Sequence, residues 1–267
     1  MGKHNPIGIF DSGIGGLTVV QSLIEGLYHE DFIYFGDTAH VPYGNKSAED
    51  LFTYAYNIIN FLIKNQVKAV VVACGTHSSV TLPKISQEYD LPILGVVEPG
   101  AQVAANSSQN KRIGLLATQA TTNSLAYTKA INTIDDKCQV FEVACPKFVP
   151  LVEKGDLSSA VVKDAVVEYL RPLLEESVDT IVLGCTHYPF LNQVIQDYVG
   201  ANVRIIDPSF ATVESLKNLL SKQGLLNDRQ NNPSREFYVS GNDESFYKVG
   251  NLLLGNIITK VSKVNLD

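Results

Sequence analysis

No apolar run in this 267-residue chain approaches the roughly 18 residues a membrane-spanning helix needs. Met1 to Asp11 has no basic region leading into a long apolar segment and a small-residue cleavage site, so the expected location is the cytoplasm. No lysine- or arginine-rich run appears, and the net charge is −7. Phosphate-backbone binding is therefore not expected as the main task, and neither nucleic acid nor membrane is an expected partner. The four cysteines, Cys74, Cys138, Cys145 and Cys185, contain no CxxC pair, which leaves a zinc ribbon or thioredoxin-like site without support. In a reducing compartment they are expected to be free thiols. Proline and glycine are not in excess, so disorder is not suggested. The 45% hydrophobic and 18% charged content describes a globular protein with a sizeable core.

Against these absences stands one repeated pattern. Ala69-Val70-Val71-Val72-Ala73-Cys74-Gly75-Thr76-His77 and Thr180-Ile181-Val182-Leu183-Gly184-Cys185-Thr186-His187 each run from an apolar, β-branched stretch into a thiol and a polar turn. Buried strands delivering thiols to their C-terminal edge would read this way, and ligands of open α/β sheets collect at that edge. A helix N-terminus following each thiol would also lower its pKa. Cys138 and Cys145 lack this setting and read as small core residues.

The rest of the chain alternates strand and helix. Pro6 to Phe10 is a strand, Asp11-Ser12-Gly13-Ile14-Gly15-Gly16 a glycine-rich turn, and Leu17, Val20, Leu23, Ile24 and Leu27 mark an amphipathic helix. The turn admits two readings: anion binding by backbone N–H groups, with a substrate carboxylate favoured over a nucleotide, or a tight turn capped by Asp11. Asp31 to Asp37 is a second strand. Ser47 caps the next helix, with Asp50 in the acidic place of a capping box. After the Cys74 strand come a helix near Val80 to Glu88, a strand Pro92 to Val97 ended by Glu98-Pro99-Gly100, and a helix from Ala101. The pattern restarts at strand Arg112 to Ala117, followed by a Thr-rich turn, Thr118 to Thr122, and a helix. Strand Cys138 to Val143, helix Leu157 to Leu174, strand Thr180 to Cys185, helix Leu191 to Tyr198 and strand Val203 to Ile206 follow. Helix Ala211 to Gly224, an Asn-rich loop 227–234, strand Glu236 to Ser240 and a helix from Asp243 form the tail.

From Gly8 to Cys74 is 66 positions, and from Gly114 to Cys185 is 71. This near-repeat predicts two pseudo-symmetric α/β domains with mainly parallel sheets and an active site in the cleft between them. The expected division is 1–98 with 208–267 as a discontinuous first domain, and 99–207 as the second.

Paired thiols suit three chemistries. Cys74-x-x-His77 and Cys185-x-His187 supply two thiols and two imidazoles for a metal, although the second spacing is shorter than usual for zinc. A redox disulfide would leave no room for substrate. Proton transfer at carbon from both faces of a planar intermediate fits the symmetry best, because inversion needs a base on one face and an acid on the other. The carbanion-like intermediate needs its carboxylate held by preorganised donors, for which backbone N–H groups and the hydroxyls of Ser12, Thr76, Thr118 and Thr186 are candidates. Asp11, at the matching strand end, suits an ammonium group. A pyridoxal-phosphate route would need a Schiff-base lysine, and no lysine sits at the glycine-rich turn or beside either thiol.

Asp11-Ser12-Gly13-Ile14-Gly15-Gly16, Pro42-Tyr43-Gly44, Glu98-Pro99-Gly100, Val152-Glu153-Lys154-Gly155 and Gly184-Cys185-Thr186-His187-Tyr188-Pro189 together resemble the motifs of the glutamate racemases. The aspartate racemases share the two-cysteine plan but not this set of loops. The resemblance implies a cofactor-independent isomerase of L- and D-glutamate, acting in cell-wall peptidoglycan synthesis and so in cell shape, usually as a homodimer and without a metal. By the same resemblance Cys185 takes the α-proton of L-glutamate and Cys74 that of D-glutamate. Asp11, His187 and Glu153 are the assisting groups. The expected substrate contacts are Ser12, Pro42, Tyr43, Gly44, Gly75, Thr76, Thr118, Thr121 and Thr186.

One motif departs from the family. Asn-Thr-Ala is usual after the first cysteine, and here Gly75-Thr76-His77 follows Cys74. A missing hydrogen bond to a charged substrate group would cost roughly 1.5–3 kcal/mol. That predicts weaker or altered activity, with a water or His77 filling the gap beside Gly75. It also motivates two alternatives: racemisation of aspartate or another acidic amino acid, or a binding protein that has lost catalysis. His77 itself either points to solvent or reaches the pocket.

Overall fold

The computed structural model describes residues 2–229 and 232–266. Residues 230 and 231, within the expected Asn-rich loop 227–234, lie outside the described residues.

In the first half, strand β1 (Ile7–Asp11) leads to helix α1 (Leu17–Gly26), β2 (Phe32–Gly36) to α2 (Ala48–Lys64), and β3 (Ala69–Val72) to α3 (Gly75–Val80) and α4 (Leu82–Ile85). β4 (Ile93–Gly95) and α5 (Val97–Ser107) follow. The second half comprises β5 (Arg112–Ala117), α6 (Gln119–Ser124), α7 (Ala126–Ile134), β6 (Gln139–Ala144), α8 (Phe148–Glu153), α9 (Ala160–Glu175), β7 (Thr180–Leu183), α10 (Asn192–Val199) and β8 (Arg204–Ile206). Helix α11 (Pro208–Lys222), β9 (Arg235–Val239), α12 (Asp243–Leu254) and β10 (Ser262–Lys263) return to the first half.

Two parallel sheets result, ordered β10-β9-β2-β1-β3-β4 and β6-β5-β7-β8. The run β2-β1-β3-β4 has the same connectivity as β6-β5-β7-β8, so the repeat counted in the sequence is a repeat of topology. Successive residues face opposite sides of a strand, and both sides are covered. Ala69 and Val71 pack into one cluster with Ile9 and Leu17, whereas Val70 and Val72 pack with Phe10 and Ile59. This explains why these strands are continuously apolar. The first of these clusters also holds Leu116, Leu183 and Cys185, so one core runs through both halves. Among the described residues, no helix is long and apolar enough to cross a membrane.

Two sequence expectations are corrected. The helix expected near Val80 to Glu88 begins at Gly75, immediately after the thiol, and breaks at Thr81 before α4. Polar residues of its first turn had obscured it, yet Gly75 to Ser79 are all buried. Glu98-Pro99-Gly100 does not end a strand but lies in the first turns of α5. Proline is tolerated there because the first N–H groups of a helix have no intrahelical partner, and an acid suits the positive end of the dipole. The Ser47 cap is present: its Oγ accepts from the Asp50 N–H at 3.1 Å.

Candidate active site

Both thiols stand two residues beyond their strands, and the ladders hold the residue before each. The N–H of Ala73 donates to Phe10 O at 2.9 Å, and that of Gly184 donates to Leu116 O at 2.8 Å. Cys74 and Cys185 thereby enter one cavity of about 240 Å³. Ser12, Pro42, Tyr43, Gly44, Thr76, Thr118, Thr186 and His187 line it with them. Asn45, Gln119, Cys145, Pro146 and Val149 also line it. Sequence reasoning missed these five. Asn45 and Gln119 directly follow residues already singled out, which was an available signal. Cys145 and Pro146 come from the β6–α8 connection and Val149 from the first turn of α8, which carried none. All four cysteines are free. Among the described residues, no three His, Cys, Asp or Glu side chains gather as a metal would require.

The two thiols differ in their neighbours. His187 Nδ1 lies 3.8 Å from Cys185 Sγ, and its Nε2 meets Glu153 Oε1 at 2.6 Å. An ionised carboxylate only accepts, so Nε2 carries the proton and Nδ1 faces the sulfur. Burial alone would lower the pKa of His187, but its hydrogen bonds to Cys185 and Glu153, and the electrostatics of the same two groups, outweigh it and hold the pKa well above its ordinary range. Among the described residues, no imidazole stands in hydrogen-bond reach of Cys74 Sγ as His187 does of Cys185. Burial and the Asp11 charge push its thiol up, and the backbone N–H groups of His77 and Thr76 only partly offset them.

His77 neither reaches solvent nor lines the cavity, contrary to both readings of its sequence position. It is fully buried, edge-on to Phe10 and Tyr43 at centroid distances of 5.3 and 4.7 Å. Thr81 Oγ1 donates to the His77 carbonyl at 3.0 Å, so His77 Nδ1–H donates to Thr81 Oγ1, also at 3.0 Å. The remaining nitrogen, Nε2, has no partner among the described residues. Burial lowers the pKa of this imidazole to about 3.

Hydroxyls bridge the halves. Thr118 Oγ1 donates to Thr121 Oγ1 at 3.0 Å, which leaves Thr76 to donate to Thr118 at 2.9 Å. Thr186 Oγ1 donates to Asp11 Oδ1 at 3.1 Å. Thr121 is wholly buried behind Thr118 and does not line the cavity. Tyr43 donates to Asp37, which also accepts from Ser240 Oγ at 2.6 Å.

Asp11 does not line the cavity either. Its Oδ2 accepts from the N–H groups of Gly13 and Gly16, each at 3.0 Å, and Glu153 Oε1 accepts from Ile14 N–H at 3.3 Å. These three amides of the glycine-rich turn are therefore occupied by the protein's own carboxylates, as the capped-turn reading expects. Burial raises the pKa of Asp11, against the lowering effects of His187, the two glycine N–H groups and Thr186. The glycines serve close approach: a Cβ on Gly15 would lie 2.4 Å from both His187 Nδ1 and Thr186 Oγ1.

Gly75 is a second such place and corrects a further expectation. It does not line the cavity. A Cβ there would lie 2.1 Å from the carbonyl oxygen of Gly184.

A family model described as Asp/Glu/Hydantoin racemase matches residues 11–216. The glutamate racemase of Thermoanaerobacter sp. (strain X514) is 45% identical over 262 residues, covering 98% of each chain. Two crystal structures are similar throughout. A glutamate racemase isoform from Bacillus anthracis has a TM-score of 0.93 at 35% identity, covering 99% of this chain and 98% of that one. A Francisella tularensis glutamate racemase in complex with D-glutamate has a TM-score of 0.92 at 37% identity, covering 99% of each.

Proposed function

We propose that this chain, which belongs to the Asp/Glu/hydantoin racemase family and is an isomerase of the racemase type, interconverts L- and D-glutamate by two-base proton transfer at the α-carbon. The observation that carries the reading is the pair of thiols offered to one cavity from equivalent turns of two like-connected sheets. The names of its relatives supply the substrate.

In this reading the Cys185 sulfur removes the α-proton of L-glutamate. The electron pair left on carbon is delocalised into the carboxylate, and Cys74 delivers its proton to the opposite face. The reverse reaction exchanges the roles. Burial keeps Cys74 protonated, which suits it to be the donor when L-glutamate enters. His187, within reach of Cys185 Sγ, exchanges the proton that sulfur acquires, and Glu153 fixes its tautomer. Ser12, Thr76, Thr118, Thr186 and the Pro42-Tyr43-Gly44 turn hold the carboxylates. Asp11 and Thr121 act one layer back, by orienting Thr186 and Thr118. No step calls for a cofactor. The same reading takes residues 1–98 with 208–267 and 99–207 as the two domains, and the homodimer as the working unit. It assigns the product to peptidoglycan synthesis in the cytoplasm.

Incubating each enantiomer in D2O tests it. Loss of optical rotation with α-deuterium incorporation is expected from both sides, and no exchange from either enantiomer at high enzyme concentration would defeat the proposal.

A further inference from the structure

We infer that Asp37 is a positioning residue: its buried carboxylate, clasped by Ser240 of the C-terminal segment, fixes where the Pro42-Tyr43-Gly44 turn stands in the cavity wall. The inference rests on the glutamate reading above, in which this turn holds substrate, and adds a group that acts on binding without touching the ligand.

Asp37 directly follows β2, is 3% exposed and does not line the cavity. Its two oxygens are shared among three side chains. Oδ2 accepts from the Tyr43 hydroxyl, Oδ1 accepts from Ser240 Oγ at 2.6 Å, and His40 Nδ1 lies 2.9 Å from both oxygens. Of these groups Tyr43 lines the cavity. Burial, followed by the Asp37 charge and hydrogen bond, raises the pKa of Tyr43 well above its ordinary value, so the phenol stays a donor. Its hydroxyl is thus committed behind the cavity, and the turn meets substrate with its ring and main chain.

The C-terminal segment closes the arrangement across a separation of 203 residues. Ser240 Oγ accepts from the Ala39 N–H at 3.0 Å while donating to Asp37, and the Gly241 N–H donates to Thr38 Oγ1 at 2.9 Å. The start of the 37–45 loop is therefore held through both its main chain and its carboxylate. The Tyr43 bond carries that hold across the loop to its far end. There the loop abuts the other half of the molecule: a Cβ on Gly44 would lie 3.2 Å from Thr118 Cβ. Tyr43 and Thr118 both line the cavity, so a shift of the turn changes the space between them.

Asp37 makes no contact that exists only in the transition state. Losing its hold on the turn weakens substrate and transition state alike, which raises KM and leaves kcat nearly unchanged.

The test is the KM-against-kcat split of racemisation, measured from each enantiomer. In Asp37→Asn one oxygen becomes an NH2 group that cannot accept, so either Tyr43 or Ser240 loses its acceptor. KM is expected to rise about tenfold, equivalent to about 1.4 kcal/mol, with kcat within about twofold of the parent. Ser240→Ala removes one support of the carboxylate, and a KM rise of about fivefold is expected. Packing on Tyr54 and His77, at centroid distances of 5.8 and 4.7 Å, keeps the Tyr43 ring in place without its hydroxyl. Tyr43→Phe is therefore expected to fold and to raise KM as Asp37→Asn does. Combined in one chain, Asp37→Asn and Tyr43→Phe strike the same bond, and their KM effects should not multiply. A parental KM in Ser240→Ala and in whichever other variant folds overturns the inference. So does a fall in kcat at parental KM, the mark of a merely structural role, and so do KM effects that multiply in the double variant. A parent enzyme that racemises neither enantiomer would instead defeat the glutamate reading itself.

Discussion

The turn after β3 and the turn after β7 share topology, position and thiol, yet surround the sulfur with opposite kinds of histidine. His187 is two residues past its cysteine and within reach of the sulfur, and Cys185 and Glu153 raise its pKa despite burial. His77 is three residues past its cysteine, turned toward Thr81, and held neutral by burial with no counter-charge. The difference is the direction each ring takes from its turn. After Cys74 the chain enters α3 at once, and its first turn carries His77 back toward Phe10 and Tyr43. After Cys185 it makes a short turn instead, ahead of the 3₁₀ segment Tyr188–Leu191, and His187 stays at the cavity. One site thus has a titratable relay, and the other has a thiol held by main-chain N–H groups.

The largest expected effect tests whether the two sides work on opposite faces. Cys74→Ser and Cys185→Ser should each lower racemisation by about 10²–10⁴-fold, and each should keep α-deuterium exchange with one enantiomer only. Cys74→Ser should exchange L-glutamate and Cys185→Ser D-glutamate. Exchange of both enantiomers by either variant, read by mass spectrometry, would break the assignment of faces.

Next in size is the relay. His187→Asn should slow removal of the L-glutamate proton by about 10²-fold, with less effect on removal from D-glutamate. Glu153→Gln keeps a hydrogen bond but loses its charge, a difference of about 1–1.5 kcal/mol, or roughly tenfold in rate. Because Glu153 raises the pKa of His187, its neutralisation should move the pH–rate limb set by His187 to lower pH. A limb that stays in place would remove Glu153 from the relay.

His77→Ala should change turnover far less than His187→Asn, and should act on acid stability instead. Above the ordinary histidine pKa the imidazole is neutral whether the chain is folded or not. As the pH falls below about 6.5 the unfolded chain takes up a proton that the folded chain refuses until about pH 3, so stability drops across that window. Between pH 7 and pH 4 this amounts to about 3 kcal/mol from His77 alone. Denaturant unfolding at the two pH values should show a smaller drop for the variant, and equal drops would mean that His77 titrates normally.

Much of the fold was legible because burial on both faces leaves a simple mark. Runs such as Val70-Val71-Val72 and Ile181-Val182-Leu183 can pack only as inner strands of a parallel sheet. The thiols, Ser12, Thr76, Thr118 and Thr186 were also legible, since each lies at a strand end or in the turn beyond it, whereas the Pro42-Tyr43-Gly44 turn and the assisting role of His187 were reached only through the resemblance to the glutamate racemases. What escaped was the layer behind them. Nothing in their sequence positions says that Thr186 donates to Asp11, that Glu153 accepts from Ile14, or that Val149 reaches the cavity from α8. Those facts depend on which element lies opposite, across separations of 175 residues for Thr186 and Asp11 and 139 for Ile14 and Glu153.

The sequence by itself determined two parallel α/β halves and a thiol at equivalent edges of each, because strand burial and local turn chemistry are properties of contiguous residues. The tertiary structure alone decided how unlike the two thiols are. The proton relay on Cys185 and the neutrality of His77 both follow from atoms brought together by the fold, where burial raises the cost of charge.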